Sequence, residues 1–206
     1  MNEQRDYRLM ELRIAEQVEG EEKNYRVEGY ASTFEPYTLM TIDGVDWNER
    51  IDEHAFDDAD MSDVVFRVDH EGPVYARSSA GTIELGTDEH GLWNKADLGR
   101  TRRGRELYED IAAGNYPKMS FAFSVAEDHI ERDTNTRVID RIAKVFDVSP
   151  VSFPANPGTS LSVSTRARID GEIEARAAER RLQEEREEQI KRIKILASKS
   201  GGLNGN

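Results

Sequence analysis

Two residues whose side chains could carry out proton transfer and nucleophilic attack stand at or inside strand-like segments. His70 follows the apolar run of residues 63–68 at a point where the chain must turn, and an imidazole there could act as a general base. The alternative is a surface histidine at a strand end with no chemical task. Ser120 lies within residues 119–125, where a sheet would hold its hydroxyl rigidly, as a nucleophile requires. The alternative is a small polar residue on the less buried face, as for Ser124.

A third candidate, Asp147, is a carboxylate between Phe146 and Val148. A carboxylate in such apolar surroundings needs a hydrogen-bond partner. A histidine N–H would provide one, as in a serine–histidine–acid arrangement, and a lysine or arginine ion pair would serve equally well. The other histidines stand beside acidic residues or in a turn, and we expect them to be solvated surface residues: His54, His90 and His129.

Several common chemistries lack their sequence signatures. The 206 residues include no cysteine, which excludes a disulfide framework, a thiolate zinc site and a cysteine nucleophile. GxSxG, P-loop, GxGxxG and HExxH patterns are absent. The aspartates between positions 43 and 63 do not have the spacing of an EF-hand loop. We therefore expect neither a metal ion nor a cofactor.

The charge balance indicates which partners the chain can have. It carries 28 lysines and arginines against 41 aspartates and glutamates, a net charge of -13, which argues against binding a nucleic-acid backbone. No apolar stretch approaches the length of a membrane span, and residues 1–22 are polar where a signal peptide would be apolar. We expect an intracellular protein, neither secreted nor in a membrane, whose partners are proteins.

Period-two hydrophobic patterns dominate the chain and predict a mainly β fold with packed helices, of the α+β class. One core helix is expected at residues 101–114, with Thr101 as its N-cap and Gly114 just past its end. Prolines 73 and 150 are expected to end regular structure. The predicted strands are residues 25–32, 63–68, 82–85, 92–98, 119–125, 137–142 and 144–149, with a hairpin turn at 88–91.

The composition changes near residue 157. All sixteen aromatic residues lie between Tyr7 and Phe153, so the core is expected to occupy residues 1–165 and a charged tail residues 166–206. Residues 169–196 are rich in Glu, Arg, Ala and Gln, which favours a helix. That helix is either a solvated one with Glu/Arg pairs at spacing four or an amphipathic one that docks on a partner.

Six segments, taken in chain order across about residues 10 to 165, resemble the prohead (procapsid) maturation proteases of tailed bacteriophages. They are Gly29-Tyr30-Ala31-Ser32-Thr33-Phe34; Glu49-Arg50-Ile51 with Ala55-Phe56; Val68-Asp69-His70-Glu71; Gly81-Thr82-Ile83-Glu84-Leu85; Met119-Ser120-Phe121-Ala122-Phe123; and the run from Asp147-Val148-Ser149-Pro150 to Val151-Ser152-Phe153-Pro154-Ala155.

The resemblance implies a serine endopeptidase related in fold to the herpesvirus assemblins, with a β-barrel-like core. It makes His70 the general base and Ser120 the nucleophile. Herpesvirus relatives use a second histidine as the third member, whereas phage members carry an acid before the Ser-Pro-Val stretch, here Asp147. His129 is the poorer alternative because it follows Ser120 by only nine residues. The Ser149–Ser152 stretch is a positional candidate for the oxyanion hole.

The same resemblance implies substrates, partners and a location. The substrates would be the scaffolding segment and the N-terminal part of the major capsid protein, and the protease itself, inside the procapsid in the host cytoplasm. Self-association is a further implication, because the herpesvirus relatives are activated by dimerisation. The charged tail would then be a removable packaging or scaffold-docking element.

Two other functions are compatible with parts of the sequence. Related folds are reported to serve as phage tail tubes, so the chain could be a noncatalytic capsid-assembly protein. An acidic protein-binding module would explain the charge but none of the six segments. The combination of His70, Ser120 and Asp147 discriminates between these functions, since a structural protein has no need of it.

Overall fold

The computed structural model describes residues 6–14, 24–152 and 163–200, which fall into two compact units, Met1–Leu161 and Ser162–Asn206. The described part of the first unit contains ten strands, one helix and a short 3₁₀ turn at Ser78–Ala80. In chain order these elements are β1 Asp6–Ile14, β2 Arg26–Thr33, β3 Tyr37–Ile42, β4 Val45–Ile51, β5 Val65–Val68, β6 Glu71–Arg77, β7 Ile83–Thr87, β8 Gly91–Asp97, α1 Arg102–Ala112, β9 Lys118–Glu131 and β10 Thr136–Val151. The second unit consists of α2, Val163–Ser200.

The strands form one ten-stranded sheet around the long β9–β10 hairpin. Its order is β3-β4-β10-β9-β1-β2-β8-β7, with β5 alongside β10 and β6 alongside β5. Most pairs are antiparallel, but β10 runs parallel to both β4 and β5. Within the described residues, β3 and β7 are the outermost strands of this order. The predicted mainly β, α+β fold class is confirmed.

Alternation along the central strands separates a hydrophobic core face from a face of smaller side chains. Phe66 of β5, Phe121 of β9 and Val148 of β10 are register neighbours, fully buried within one apolar cluster. That cluster also includes Leu107, Tyr108 and Ile111 of α1, so the core helix predicted at residues 101–114 packs on the sheet through these three residues. Ala112, the last residue of the helix, is exposed.

Local sequence signals position several elements as predicted. The hydroxyl of Thr101 accepts a hydrogen bond from the Gly104 N–H at 2.9 Å, which is the expected N-cap of α1. Gly114 takes a φ of +82°, suited to the residue after a helix. β7 and β8 form the hairpin predicted around residues 88–91.

The two prolines do not end regular structure, so this prediction was wrong. Pro73 lies within β6, which among the described strands pairs with β5 alone. It stands at an irregularity of that ladder, where its missing N–H costs no bond. Pro150 lies within β10 opposite Met119, and its carbonyl accepts a hydrogen bond from the Asp69 N–H at 3.1 Å. The residue pairs between β10 and β5 end at Val148, so no ladder partner is lost there.

The two strands expected at residues 137–142 and 144–149 are one continuous strand, β10. The register against β9 shifts at four places between Ile139 and Asp147. These bulges interrupt the alternation of apolar and polar residues in the sequence, although the pairing of β9 with β10 continues through them.

The predicted tail helix is present as α2, a 38-residue helix longer than the 28 residues expected. Pairs of charged residues at spacing four lie along it, such as Arg166–Asp170 and Glu172–Arg176, both at 2.9 Å. Its exposed apolar side chains are Leu182, Ile190, Ile193, Ile195 and Leu196. None of the helices within residues 24–152 and 163–200 is long and apolar enough to cross a membrane. Phe153, Pro154 and Ala155 of the last motif lie outside the described residues.

Candidate active site

His70 sits in a strained two-residue turn between β5 and β6. Val68 pairs with Glu71, which leaves Asp69 and His70 as the connection. Both have positive φ, 49° and 61°, as the type I′ turn of a tight hairpin requires at its two central positions. A left-handed backbone costs a non-glycine residue about 1–2 kcal/mol. The turn therefore holds the histidine in a conformation that the surrounding structure must support.

The structure brings His70, Ser120 and Asp147 together. His70 Nε2 lies 2.8 Å from Ser120 Oγ, and His70 Nδ1 lies 2.6 Å from Asp147 Oδ1. The histidine side chain is 18% exposed, whereas Ser120 and Asp147 are 2% and 1% exposed. Since a carboxylate accepts, Nδ1 donates to Asp147 and the lone pair of Nε2 faces the serine hydroxyl. This arrangement can remove the Ser120 proton.

The register of β9 and β10 explains how the strands present these groups. Ser120 lies directly opposite Ser149, and Asp147 lies opposite Ala122. Asp147 and Ser149, two residues apart on β10, share the face opposite to Phe121 and the hydrophobic core. The sequence alternation of residues 119–125 predicted this second face, although both faces are buried at Ser120.

One of the two oxygens of the Asp147 carboxylate accepts its hydrogen bonds. Oδ1 accepts hydrogen bonds from His70 and from the fully buried Ser149 hydroxyl at 2.7 Å. Oδ2 is buried and has no hydrogen-bond partner in the described part of the chain. A half-satisfied buried carboxylate is costly for stability, which is typical of a group retained for function. Ser149 was not predicted as a partner of Asp147, although the i, i+2 spacing on a strand was the available signal.

Asp69 contacts the end of β10 instead of the imidazole. Its Oδ1 accepts the Ser152 N–H and its Oδ2 accepts the Ser152 hydroxyl, both at 2.9 Å. Residues 149–151 of the candidate oxyanion stretch belong to β10, and the Ser152 N–H is already donated to Asp69, so this N–H is not available to an oxyanion. The rest of the stretch stays a positional candidate.

The other three histidines lie apart from this site. His129 is in β9 opposite Val138, half exposed, and pairs with Asp140 at 2.8 Å. Nine residues along an extended strand separate it from Ser120 by roughly 30 Å. His54 contacts Asp57 at 3.2 Å and is well exposed, as is His90. Of the two candidates for the third member, Asp147 contacts His70.

A second buried charge cluster ties the sheet together. Glu49 of β4 accepts hydrogen bonds from Arg8 of β1 at 2.6 Å and from Arg137 of β10 at 2.8 Å, and also from the Tyr37 hydroxyl. Burial by itself would raise the pKa of Glu49, but the two guanidinium groups outweigh it and hold that pKa below its usual value. Glu49 stood in one of the six motifs, and its role here is structural.

Within the described residues, no group of three or more His, Asp or Glu side chains is placed to hold a metal ion. The candidate site consists of three side chains on β9, β10 and the β5–β6 turn. Such an arrangement can activate a serine hydroxyl for nucleophilic attack.

A comparison with known protein families decides the assignment. The family model described as caudovirus prohead serine protease matches residues 10–171, more than three quarters of the chain. The chain belongs to the caudovirus prohead serine protease family. No curated protein and no solved structure is significantly similar to this chain. Family membership supports a serine protease role in capsid maturation, with a capsid-related partner. The matched segment includes His70, Ser120 and Asp147, and it extends six residues beyond the resemblance found in the sequence.

Proposed function

We propose that this prohead protease is a serine endopeptidase with Ser120 as nucleophile, His70 as general base and Asp147 as the third member. The observation that carries the proposal is the chain of contacts from Asp147 Oδ1 through His70 to Ser120 Oγ, at 2.6 and 2.8 Å. A noncatalytic assembly protein would gain nothing from a strained histidine turn that faces a buried carboxylate.

In the acylation half of the reaction, Ser120 Oγ attacks the carbonyl carbon of a peptide bond while His70 Nε2 takes the hydroxyl proton. Asp147 stabilises the resulting imidazolium and fixes the ring through Nδ1. Collapse of the tetrahedral intermediate breaks the C–N bond, and His70 passes its proton to the leaving amine. An acyl-enzyme on Ser120 remains.

In the second half, His70 removes a proton from a water molecule that attacks the ester carbonyl. The second tetrahedral intermediate releases the new carboxyl group, and the proton on His70 returns to Ser120 Oγ. Each proton taken by Nε2 is thus given back within one cycle. Asp147 stays ionised throughout.

The proposed substrates are the scaffolding segment, the N-terminal part of the major capsid protein and the protease itself, inside the procapsid in the host cytoplasm. Membership in the prohead protease family supports this substrate class. We also propose kinship with the herpesvirus assemblins and their barrel-like core. The mainly β sheet supports it, as does the pairing of His70 with Ser120.

Labelling with a fluorophosphonate probe tests the catalytic assignment without knowledge of the cleavage site. We expect one adduct on the full-length chain, mapped to Ser120, and no adduct on Ser120→Ala. Ser124→Ala, in the same strand, is the matched control and should label like the wild type. An adduct elsewhere, or equal labelling of Ser120→Ala, would remove Ser120 from the mechanism.

We propose that the tail, residues 166–206, is a docking element for the scaffold that is cut away during maturation. Its helix carries exposed apolar side chains, including Leu182, Ile193 and Leu196. Deletion of residues 166–206 should lower incorporation of the protease into procapsids, measured by the amount of protease that co-sediments with them. Unchanged incorporation would contradict this docking role.

A further inference from the structure

Asp69 joins the turn that carries His70 to the strand that carries Asp147. Its backbone N–H donates to the Pro150 carbonyl at 3.1 Å. Its carboxylate accepts two hydrogen bonds from Ser152, one from the backbone N–H and one from the hydroxyl, both at 2.9 Å. Three hydrogen bonds therefore link one residue of the turn to the end of β10.

This link lies next to a short ladder between β5 and β10. The parallel ladder between these strands contains two residue pairs, Asp147 with Val65 and Val148 with Phe66. Beyond Val148, the bonds of Asp69 continue the attachment as far as Ser152. The position of the His70 ring relative to Asp147 depends on this attachment, because His70 is the next residue after Asp69.

The conformation of the turn also needs support from outside. Asp69 and His70 both adopt left-handed φ values. Aspartate and histidine both occupy that region more often than most non-glycine residues, but each does so at a cost. A turn of this kind without external bonds has other accessible conformations, in which the imidazole would leave the line between Asp147 and Ser120.

We propose that Asp69 is a positioning residue that clamps the β5–β6 turn to β10 and so holds His70 between Asp147 and Ser120. The proposal rests on the catalytic role proposed above. Asp69 does not touch the reacting atoms, and its side chain is exposed. Since exposed hydrogen bonds contribute little to global stability, removal of the clamp should slow the reaction far more than it destabilises the fold.

Four variants of the full-length protein separate the clamp from other effects. Asp69→Gly removes the carboxylate and introduces a residue that adopts positive φ without a steric penalty. Asp69→Asn can still accept from the Ser152 N–H, and it lacks the charge. Ser152→Ala loses only the hydroxyl bond. Glu71→Gln, on the other side of His70, is the matched control for loss of a neighbouring carboxylate.

Two readouts are needed: the rate at which a fluorophosphonate phosphonylates Ser120, with loss of fluoride, and the downfield proton NMR signal of His70 Nδ1–H bonded to Asp147. We expect Asp69→Gly to be phosphonylated about 10²-fold more slowly, the scale of a misplacement near 1 Å, and to lose the downfield signal. Asp69→Asn should retain most of both, Ser152→Ala should fall between them, and Glu71→Gln should match the wild type. Thermal unfolding should show Asp69→Gly folded.

The results distinguish failure of the clamp from failure of the catalytic proposal. A wild-type rate of phosphonylation and a wild-type NMR signal in Asp69→Gly would overturn the clamp. Equal losses in Asp69→Asn and Asp69→Gly would also overturn it, since they would point to the charge of Asp69. A wild type that does not react with the probe, yet whose Nδ1–H signal disappears in Asp69→Gly, would refute the catalytic role and support the clamp. Absence of the signal from the wild type would refute both.

Discussion

Ser120 and Ser149 lie directly opposite each other across the β9–β10 ladder, on the face that also carries Asp147. This register puts the hydroxyl proposed as nucleophile and the carboxylate on adjacent strands, within reach of one imidazole. A slip by one residue would turn Ser120 towards the core and bring Phe121 to the site. The geometry of the site is therefore a property of the strand pairing as much as of the three side chains.

The half-satisfied carboxylate of Asp147 predicts opposite effects on activity and stability. Asp147→Asn should lower the rate of phosphonylation by a fluorophosphonate by about 10³- to 10⁴-fold, because the amide no longer stabilises the imidazolium or fixes its tautomer. The Tm should not fall, since the substitution removes a buried charge with an unpaired oxygen. A large loss of Tm with little change in rate would contradict this role for Asp147.

Ser149 should matter through the orientation of Asp147. Ser149→Ala removes the buried hydroxyl that donates to Oδ1 at 2.7 Å, and we expect about 10-fold slower phosphonylation by a fluorophosphonate. Loss of one hydrogen bond to a charged group should lower the free energy of unfolding by about 1.5–3 kcal/mol in denaturant titrations. Ser124→Ala is the control and should alter neither quantity appreciably. A wild-type rate in Ser149→Ala would show that the second bond to Oδ1 is dispensable.

The buried Glu49 cluster predicts an acid-sensitive fold. The folded-state pKa of Glu49 is lowered by Arg8 and Arg137 despite its burial. Its contribution to stability is therefore complete above its unfolded pKa, about 4.3, and is lost as the pH falls through the lower folded pKa. Glu49→Gln should be destabilised by about 3–5 kcal/mol at pH 7 because it leaves two buried guanidinium groups poorly paired.

The same variant should lose less stability than the wild type between pH 5 and pH 2. Unfolding followed by circular dichroism across this range measures both effects. Parallel pH profiles for the wild type and Glu49→Gln would contradict the assignment.

Gly104 in the first turn of α1 predicts a steric effect. A Cβ at this position would lie 2.2 Å from the backbone oxygen of Leu98. Gly104→Ala should therefore destabilise the protein by about 1–3 kcal/mol, although alanine favours helices over glycine. Gly171→Ala in α2 is the matched control, since nothing lies within 4 Å of its Cβ position. An unchanged Tm for Gly104→Ala would show that the helix can shift without cost.

Much of the site was predictable from the sequence because its parts have local signals. The alternation of residues 119–125 indicates a strand with a face suited to Ser120, and the Asp-His pair follows an apolar run. The resemblance to the prohead proteases supplied the combination of His70, Ser120 and Asp147. Neither the spacing nor the composition alone could show that they meet.

Most contacts that support the site and the sheet were not predictable, because they depend on which strands pair and in what register. The i, i+2 spacing of Asp147 and Ser149 is the exception. Glu49 is 41 residues from Arg8 and 88 from Arg137, and no periodicity relates them. Asp69 is 83 residues from Ser152. The prediction that Pro73 and Pro150 end regular structure was wrong for the same reason. The cost of a proline in a strand depends on whether its missing N–H would face a hydrogen-bond acceptor.

Intact-mass spectrometry of the protease co-expressed with its cognate major capsid protein tests the central claim most directly. We predict that the wild type yields shortened capsid chains and a shortened protease, and that Ser120→Ala yields neither, while Ser124→Ala behaves like the wild type. Equal trimming by Ser120→Ala would contradict the nucleophile, and no trimming by any of the three would favour a noncatalytic assembly protein on the same fold.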